Sequence, residues 1–266
     1  MKTLVGTASI ISAVVLLLGL GPQAYSSFFW REVEYKRLAA LHAGFNVDAI
    51  YQELGQPSIK KAVSGTGYTE SIFLRKEHIV MTISDPSDSV VMYSVLSCDP
   101  DFQPTFETEA RTFIRLQSVP MSETELDATQ GTTERNDERI VTYVPGLTVS
   151  SPDVLVEQDP QLMSNAMRNR GYFVGISGAC ADLSGGGASI YHGSLLKAPS
   201  SVMDLRRRTA ADFYAESYGV FGTVGELGAL SVSDESGKST GEIPVTPFHF
   251  DLPQKAADRN GTQVFG

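Results

Sequence analysis

The sequence predicts an α+β chain: an N-terminal transmembrane helix, then a soluble part of antiparallel sheet with packed helices. Three observations predict it. Residues 3–30 carry no charge and centre on the apolar run from Leu4 to Leu20. Short helical segments with clear caps follow over 29–54. Runs of alternating apolar residues, broken by Gly, Pro and Asp, come after that.

A helix rises about 1.5 Å per residue, so about 20 residues cross a hydrocarbon core of about 30 Å. Leu4 to Pro22 is long enough. The rival is a cleaved signal peptide, with Lys2 as a thin basic region and a cut after Ala24. That cut puts Pro22 where a small residue is wanted. Retention is favoured, because Tyr25, Phe28, Phe29, Trp30 and Arg31 then form a membrane-interface belt. This reading makes membrane lipid a partner and the location a cell membrane, crossed once. Arg31, Lys36 and Arg37 outnumber Lys2, which places the rest of the chain in the cytoplasm by the positive-inside rule. An N-terminal anchor before one large domain often has that domain outside, and both sides stay open.

The chain has 266 residues, 42% hydrophobic and 20% charged, enough for one sizeable core or two small ones. Beyond Lys2 it holds 20 basic and 31 acidic residues. Such a surface repels phosphate backbones, so nucleic acid is excluded as a partner.

Phe29 to His42 reads as a helix with Val33, Leu38 and Leu41 on its apolar side and Gly44 as its stop. A second helix has Asn46 as N-cap, Asp48 in the first turn, Val47, Ile50 and Leu54 on one face, and Gly55 then Pro57 at its end. Three strands follow: Thr69 to Arg75, His78 to Ser84, and Ser89 to Ser97. The last two flank Asp85-Pro86-Ser87-Asp88, a turn with proline where φ near −65° is wanted.

The phrase Phe45-Asn46-Val47-Asp48-Ala49-Ile50-Tyr51-Gln52-Glu53-Leu54-Gly55-Gln56-Pro57, a helix closing in Leu-Gly-x-Pro before a meander, resembles the opening of the BamE/SmpA-like envelope modules. The resemblance covers residues 44–98. It implies an α-β-β-β unit with an assembly role in a bacterial envelope and no catalytic content. The whole chain also resembles uncharacterised bacterial single-pass membrane proteins.

The expected organisation is an anchor and interfacial segment over 1–27, an α-β-β-β module over 28–117 and an acidic loop over 118–138. A second α+β portion over 139–233, possible as part of the same domain, and a loose tail over 234–266 complete it. The second portion offers strands at 139–144, 172–177 and 188–192, a short helix near 160–169, a longer helix from Val202 to Tyr218, and a last strand at 229–233.

No constellation in the sequence carries chemistry. Ser58-Ile59-Lys60-Lys61 has serine–lysine spacing but follows a helix end and lacks partner motifs. Gly185-Gly186-Gly187 lacks the lysine of a phosphate loop, and Gly219, Gly222, Gly225 and Gly228 read as a loop. His42, His78, His192 and His249 fall in different elements, so no metal site and no cofactor is expected. Asp99 and Asp101 flank Pro100 and read as a turn; Arg206-Arg207-Arg208 reads as solvated or paired with Asp204 and Asp212. Cys98 and Cys180 form a disulfide in an oxidising compartment or stay buried thiols in a reducing one. Catalytic residues are unknown. The function expected is a membrane-anchored, non-enzymatic protein that binds or scaffolds a protein partner. The alternative is a membrane-tethered hydrolase using His192, with Asp182 and Ser177, or the pair Asp99 and Asp101.

Overall fold

The computed structural model describes residues 29–63, 65–108, 112–124, 139–145, 153–158, 170–183, 189–220, 229–233 and 239–245. The chain divides into two compact units, Met1–Leu38 and Ala39–Gly266.

In the first unit, helix α1 (Trp30–Ala39) places Glu32 in its first turn and Lys36 and Arg37 in its last. This order complements the helix dipole. Arg37 pairs with Glu34 one turn back, and the Arg31 guanidinium lies 5.7 Å over the Trp30 ring. The transmembrane helix expected at Leu4 to Pro22, with Tyr25 and Phe28, lies outside the described residues. Among the described residues no helix is long and apolar enough to cross a membrane. The longest has 10 residues, about 15 Å of rise against a core of about 30 Å. The expected fold class and the single-pass membrane localisation are corrected accordingly. What is described is a large antiparallel sheet with few helices. Trp30 and Arg31 open helix α1, with Phe29 just before it, and the helix carries charges along its length.

In the second unit, helix α2 (Val47–Leu54) is set by its ends. The Asn46 side chain accepts the Asp48 N–H at 2.9 Å, and Gly55 closes the helix at φ 79° by donating to the Tyr51 carbonyl. Val47, Ile50 and Leu54 form its buried face.

Strands β1 (Ile59–Ala62), β2 (Thr69–Leu74), β3 (Ile79–Ser84) and β4 (Val90–Leu96) follow as a meander. In the β3–β4 turn the Asp85 carboxylate accepts N–H bonds from Ser87 and Ser89, both at 2.9 Å, and Asp88 takes φ 61°. A small hairpin, β5 (Thr105–Glu107) and β6 (Phe113–Arg115), forms a separate two-stranded ladder. Strands β7 (Ile140–Val144), β8 (Val154–Gln158), β9 (Arg170–Ser177) and β10 (Tyr191–Ser194) come next. Helix α3 (Ser200–Arg208) and strand β11 (Phe213–Tyr218) follow, and a hairpin of β12 (Ala229–Ser233) and β13 (Ser239–Pro244) ends the described fold.

Nine of these strands form one antiparallel sheet in the order β1-β2-β3-β4-β11-β9-β8-β7-β10. The segments on either side of the acidic loop therefore share a sheet, joined where β11 pairs with β4 and β9. The long helix expected from Val202 to Tyr218 stops at Arg208. Phe213, Ala215 and Ser217 point to one face and Tyr214 and Glu216 to the other, a period of two that a helix cannot satisfy. The tail expected from Asp234 contains β13. The helix expected near 160–169 lies outside the described residues, and so do 125–138.

Both faces of the sheet are covered. One is apolar: Ile72, Met81, Phe173, Phe213 and Ala215 pack with Leu230, Ile243 and Val245 of the β12–β13 hairpin. Gly175 makes this possible, because a Cβ there would stand 2.3 Å from both the Leu155 carbonyl and the Phe213 ring. The other face meets α2, α3 and β5. Tyr51 packs edge-on to Phe73, Phe106 stacks on Tyr214 at 4.2 Å, and Arg206 reaches Glu157.

Candidate functional site

The sheet face under the helices buries carboxylates, and a buried carboxylate has to be partnered. Glu216, in the middle of β11, is fully buried. One of its oxygens takes the Arg170 guanidinium, which also donates to the Ala43 carbonyl at 2.9 Å. The other is 3.0 Å from His42 Nδ1 and 3.4 Å from the Tyr214 hydroxyl. Burial first, then the Glu216 charge, pushes the Tyr214 phenol well above its usual range, so it serves as a donor.

Backbone geometry brings His42 to this point. Gly44, at φ 88°, turns the chain over the Tyr218 ring, where an added Cβ would stand 3.0 Å from the ring. Its N–H donates to Val90, and the Val90 N–H returns to Phe45, pinning the loop beside β4. His42 lies edge-on to Phe45, ring centroids 5.8 Å apart, and Tyr218 covers the Arg170 guanidinium at 5.1 Å. Phe45 and Tyr218 remain 36% and 38% exposed and the His42 side chain 35%, while the carboxylate beneath them is sealed. The result is an aromatic surface patch on an ionic base.

A histidine held through Nδ1 by a carboxylate has its other nitrogen available for acid–base work. Among the described residues no hydroxyl or thiol is hydrogen-bonded to His42, and no group of three or more His, Cys, Asp or Glu side chains could hold a metal.

A second buried carboxylate, Glu157 on β8, lies between Arg206 of α3 and Arg139, the latter at 3.6 Å. It ties α3 to the sheet. Arg207 pairs with Asp204 on the helix surface. Asp212, expected as an arginine partner, instead accepts the Ser177 N–H at 2.9 Å on each oxygen, and burial raises its proton affinity well above the ordinary carboxylate range. Close by, Cys98 and Cys180 form a disulfide with Cα atoms 4.7 Å apart across 82 residues of sequence. By loop entropy such a link is worth about 4–5 kcal/mol.

The remaining sequence candidates do not converge. His192 sits on β10 with Nδ1 2.9 Å from Thr142 Oγ1. Ser177 is on β9, three strand spacings away, roughly 14 Å. Asp99 accepts the Asp101 N–H at 2.9 Å and the Phe102 N–H at 3.0 Å, which makes the pair a turn. Lys61 pairs with Glu70 across the β1–β2 ladder at 3.2 Å and Ser58 Oγ accepts the Leu74 N–H, so the serine–lysine spacing falls on an extended segment. Gly185, Gly186, Gly187, Gly222, Gly225, Gly228 and His249 lie outside the described residues. The sequence reading missed Glu157 and Glu216. A lone Glu between Ala and Ser, or between Val and Gln, reads as a solvated position, and the only available signal was the strand alternation around it.

No protein-family model matches this chain, and no curated protein sequence matches it.

Proposed function

We propose that this chain is a non-enzymatic binding domain that contacts a protein partner through the Phe45, Tyr218 and His42 patch at the end of β11. The observation that carries this reading is the division of labour at the site. The polar atoms of Arg170, Glu216 and Tyr214 are engaged with one another, and among the described residues no nucleophile is hydrogen-bonded to His42, while two aromatic rings face outward. Aromatic side chains on a rigid base are what binding surfaces concentrate, since a large ring buries much area for little conformational entropy. The assembly role implied by the envelope-module resemblance of residues 44–98 agrees with this reading but does not carry it.

The test is site-specific photo-crosslinking in cells that express the chain. A photoreactive side chain at position 45 or 218 is expected to give discrete protein adducts. The same probe at Leu196, exposed at the far side of the sheet next to β10, is expected to give none, and Glu216→Gln is expected to weaken the adducts by loosening His42. Equal labelling from all three positions would remove the proposal. Turnover of an ester or peptide substrate that disappears with His42→Gln would replace it with a hydrolase.

A further inference from the structure

β11 is the last of the nine sheet strands in sequence and lies between β4 and β9 in space. The sheet pairing between the β1–β4 half and the β7–β10 half therefore runs through it. At the upstream end of β11 three elements meet on one residue. Ser97, just past β4, donates its N–H to the Asp212 carbonyl at 2.9 Å. Asp212 donates its own N–H to the Gly175 carbonyl of β9 at 2.9 Å, and its carboxyl takes the Ser177 N–H.

The disulfide spans the same two flanks. Cys98 follows Ser97 directly, and Cys180 closes the turn after β9 by donating to the Ser177 carbonyl at 2.9 Å. The two cysteines are half-buried while Asp212 is 1% exposed, so the bridge is nearer to solvent than the carboxyl between its flanks. The other end of β11 is held independently, by Glu216 with Arg170 and His42 and by the Glu216, Ser217 and Tyr218 rungs. One end of the central strand thus lies between the two flanks that a covalent bridge joins, over a carboxyl kept from water; the opposite end carries ion pairs.

We propose that the Cys98–Cys180 bridge is a redox-operated latch on the upstream end of β11. Oxidised, it keeps Asp212 closed between β4 and β9. Reduced by a dithiol, it lets that end open while the Glu216 end stays paired. In the reaction a thiolate of the dithiol attacks one cysteine sulfur and the S–S bond breaks. The displaced cysteine leaves as a thiolate and takes a proton. The second thiol of the reagent then resolves the mixed disulfide. Two electrons and two protons pass to the chain, and the dithiol becomes a disulfide. An opened end exposes the Ser97 and Ser177 N–H groups and lets the Asp212 carboxyl reach water, which offsets part of the lost pairing.

The experiment is amide hydrogen exchange on the full chain, before and after reduction by dithiothreitol without denaturant. Exchange across 96–98, 175–181 and 211–213 is expected to quicken at least about tenfold, about 1.4 kcal/mol of local opening. Exchange across 216–218 and in the β2–β3 ladder is expected to stay unchanged. The Cys98→Ser, Cys180→Ser double variant is expected to show the same pattern without reductant. Three results would overturn the latch: exchange unaltered by reduction, loss of protection throughout the sheet in both the reduced chain and the double variant, or a bridge that the dithiol does not reduce while the chain is folded.

Discussion

The two faces of the large sheet are both buried, and they are held by different physics. On the face under β12–β13, Ile72, Met81, Phe173 and Phe213 gain from area removed from water, about 1.5–3 kcal/mol per large side chain, with little demand on direction. On the face under α2 and α3, Glu157 and Glu216 lose hydration and recover it only where Arg206, Arg139, Arg170 and His42 stand in fixed positions. The apolar face contributes stability. The ionic face determines where α3 and the 42–45 loop must sit, and it is the face that brings an aromatic patch to the surface.

The largest expected effect breaks that contrast at its most buried pair. Glu157→Ala leaves Arg206, whose side chain is 4% exposed, without its carboxylate. The expected cost is about 3–5 kcal/mol in urea unfolding. Replacing the pair together, Glu157→Leu with Arg206→Met, is expected to cost far less, because neither charge is then stranded. If the double variant is as unstable as the single one, the ion pair is a net source of stability and the two faces do not differ as argued.

The apolar face should fail by a different route. Gly175→Ala adds a single methyl 2.3 Å from the Leu155 carbonyl and the Phe213 ring, and neither a backbone atom nor a packed ring yields cheaply. The expected loss is about 1–3 kcal/mol, with a smaller companion substitution, Phe213→Leu, restoring part of it. A neutral Gly175→Ala would mean that Phe213 has room to move and that this face is loosely packed.

How much of this was legible in the sequence follows the same division. Local signals worked. Asn46 and Gly55 mark both ends of α2, and Asp85-Pro86 marks the β3–β4 turn, because each acts within a few residues. Signals that depend on distant partners did not work. β11 alternates, but its two sides are both buried, so Phe-Tyr-Ala-Glu-Ser-Tyr shows no apolar-to-polar rhythm and its Ala and Glu suggest a helix. β8 was missed for the same reason. The cysteine pairing could not be decided from spacing, since it depends on strands β4 and β9 flanking β11 and on the redox compartment. At the patch, Phe45 and Tyr218 lie far apart in the sequence, and the turn at Gly44, pinned to Val90 of β4, together with the β4–β11 pairing, brings them to the same end of the sheet.

The smallest effect sharpens the comparison inside the ionic face. Thr82 lies level with Ser71 and Tyr93, yet its hydroxyl oxygen is buried without a hydrogen-bond partner among the described residues. The neighbouring Ser71 hydroxyl is 3.0 Å from that of Tyr51. An unpaired buried hydroxyl costs free energy, and valine has nearly the same shape. Thr82→Val is expected to raise stability by about 1 kcal/mol, and Ser71→Ala to lower it by about 1 kcal/mol. Both are read from urea midpoints at constant slope. Opposite signs at two adjacent hydroxyls of similar burial would show that hydrogen-bond completeness, and not polarity, sets the energy of this face. A loss at Thr82 equal to that at Ser71 would mean that its hydroxyl is satisfied in solution, and the ionic face would then be as complete as the apolar one.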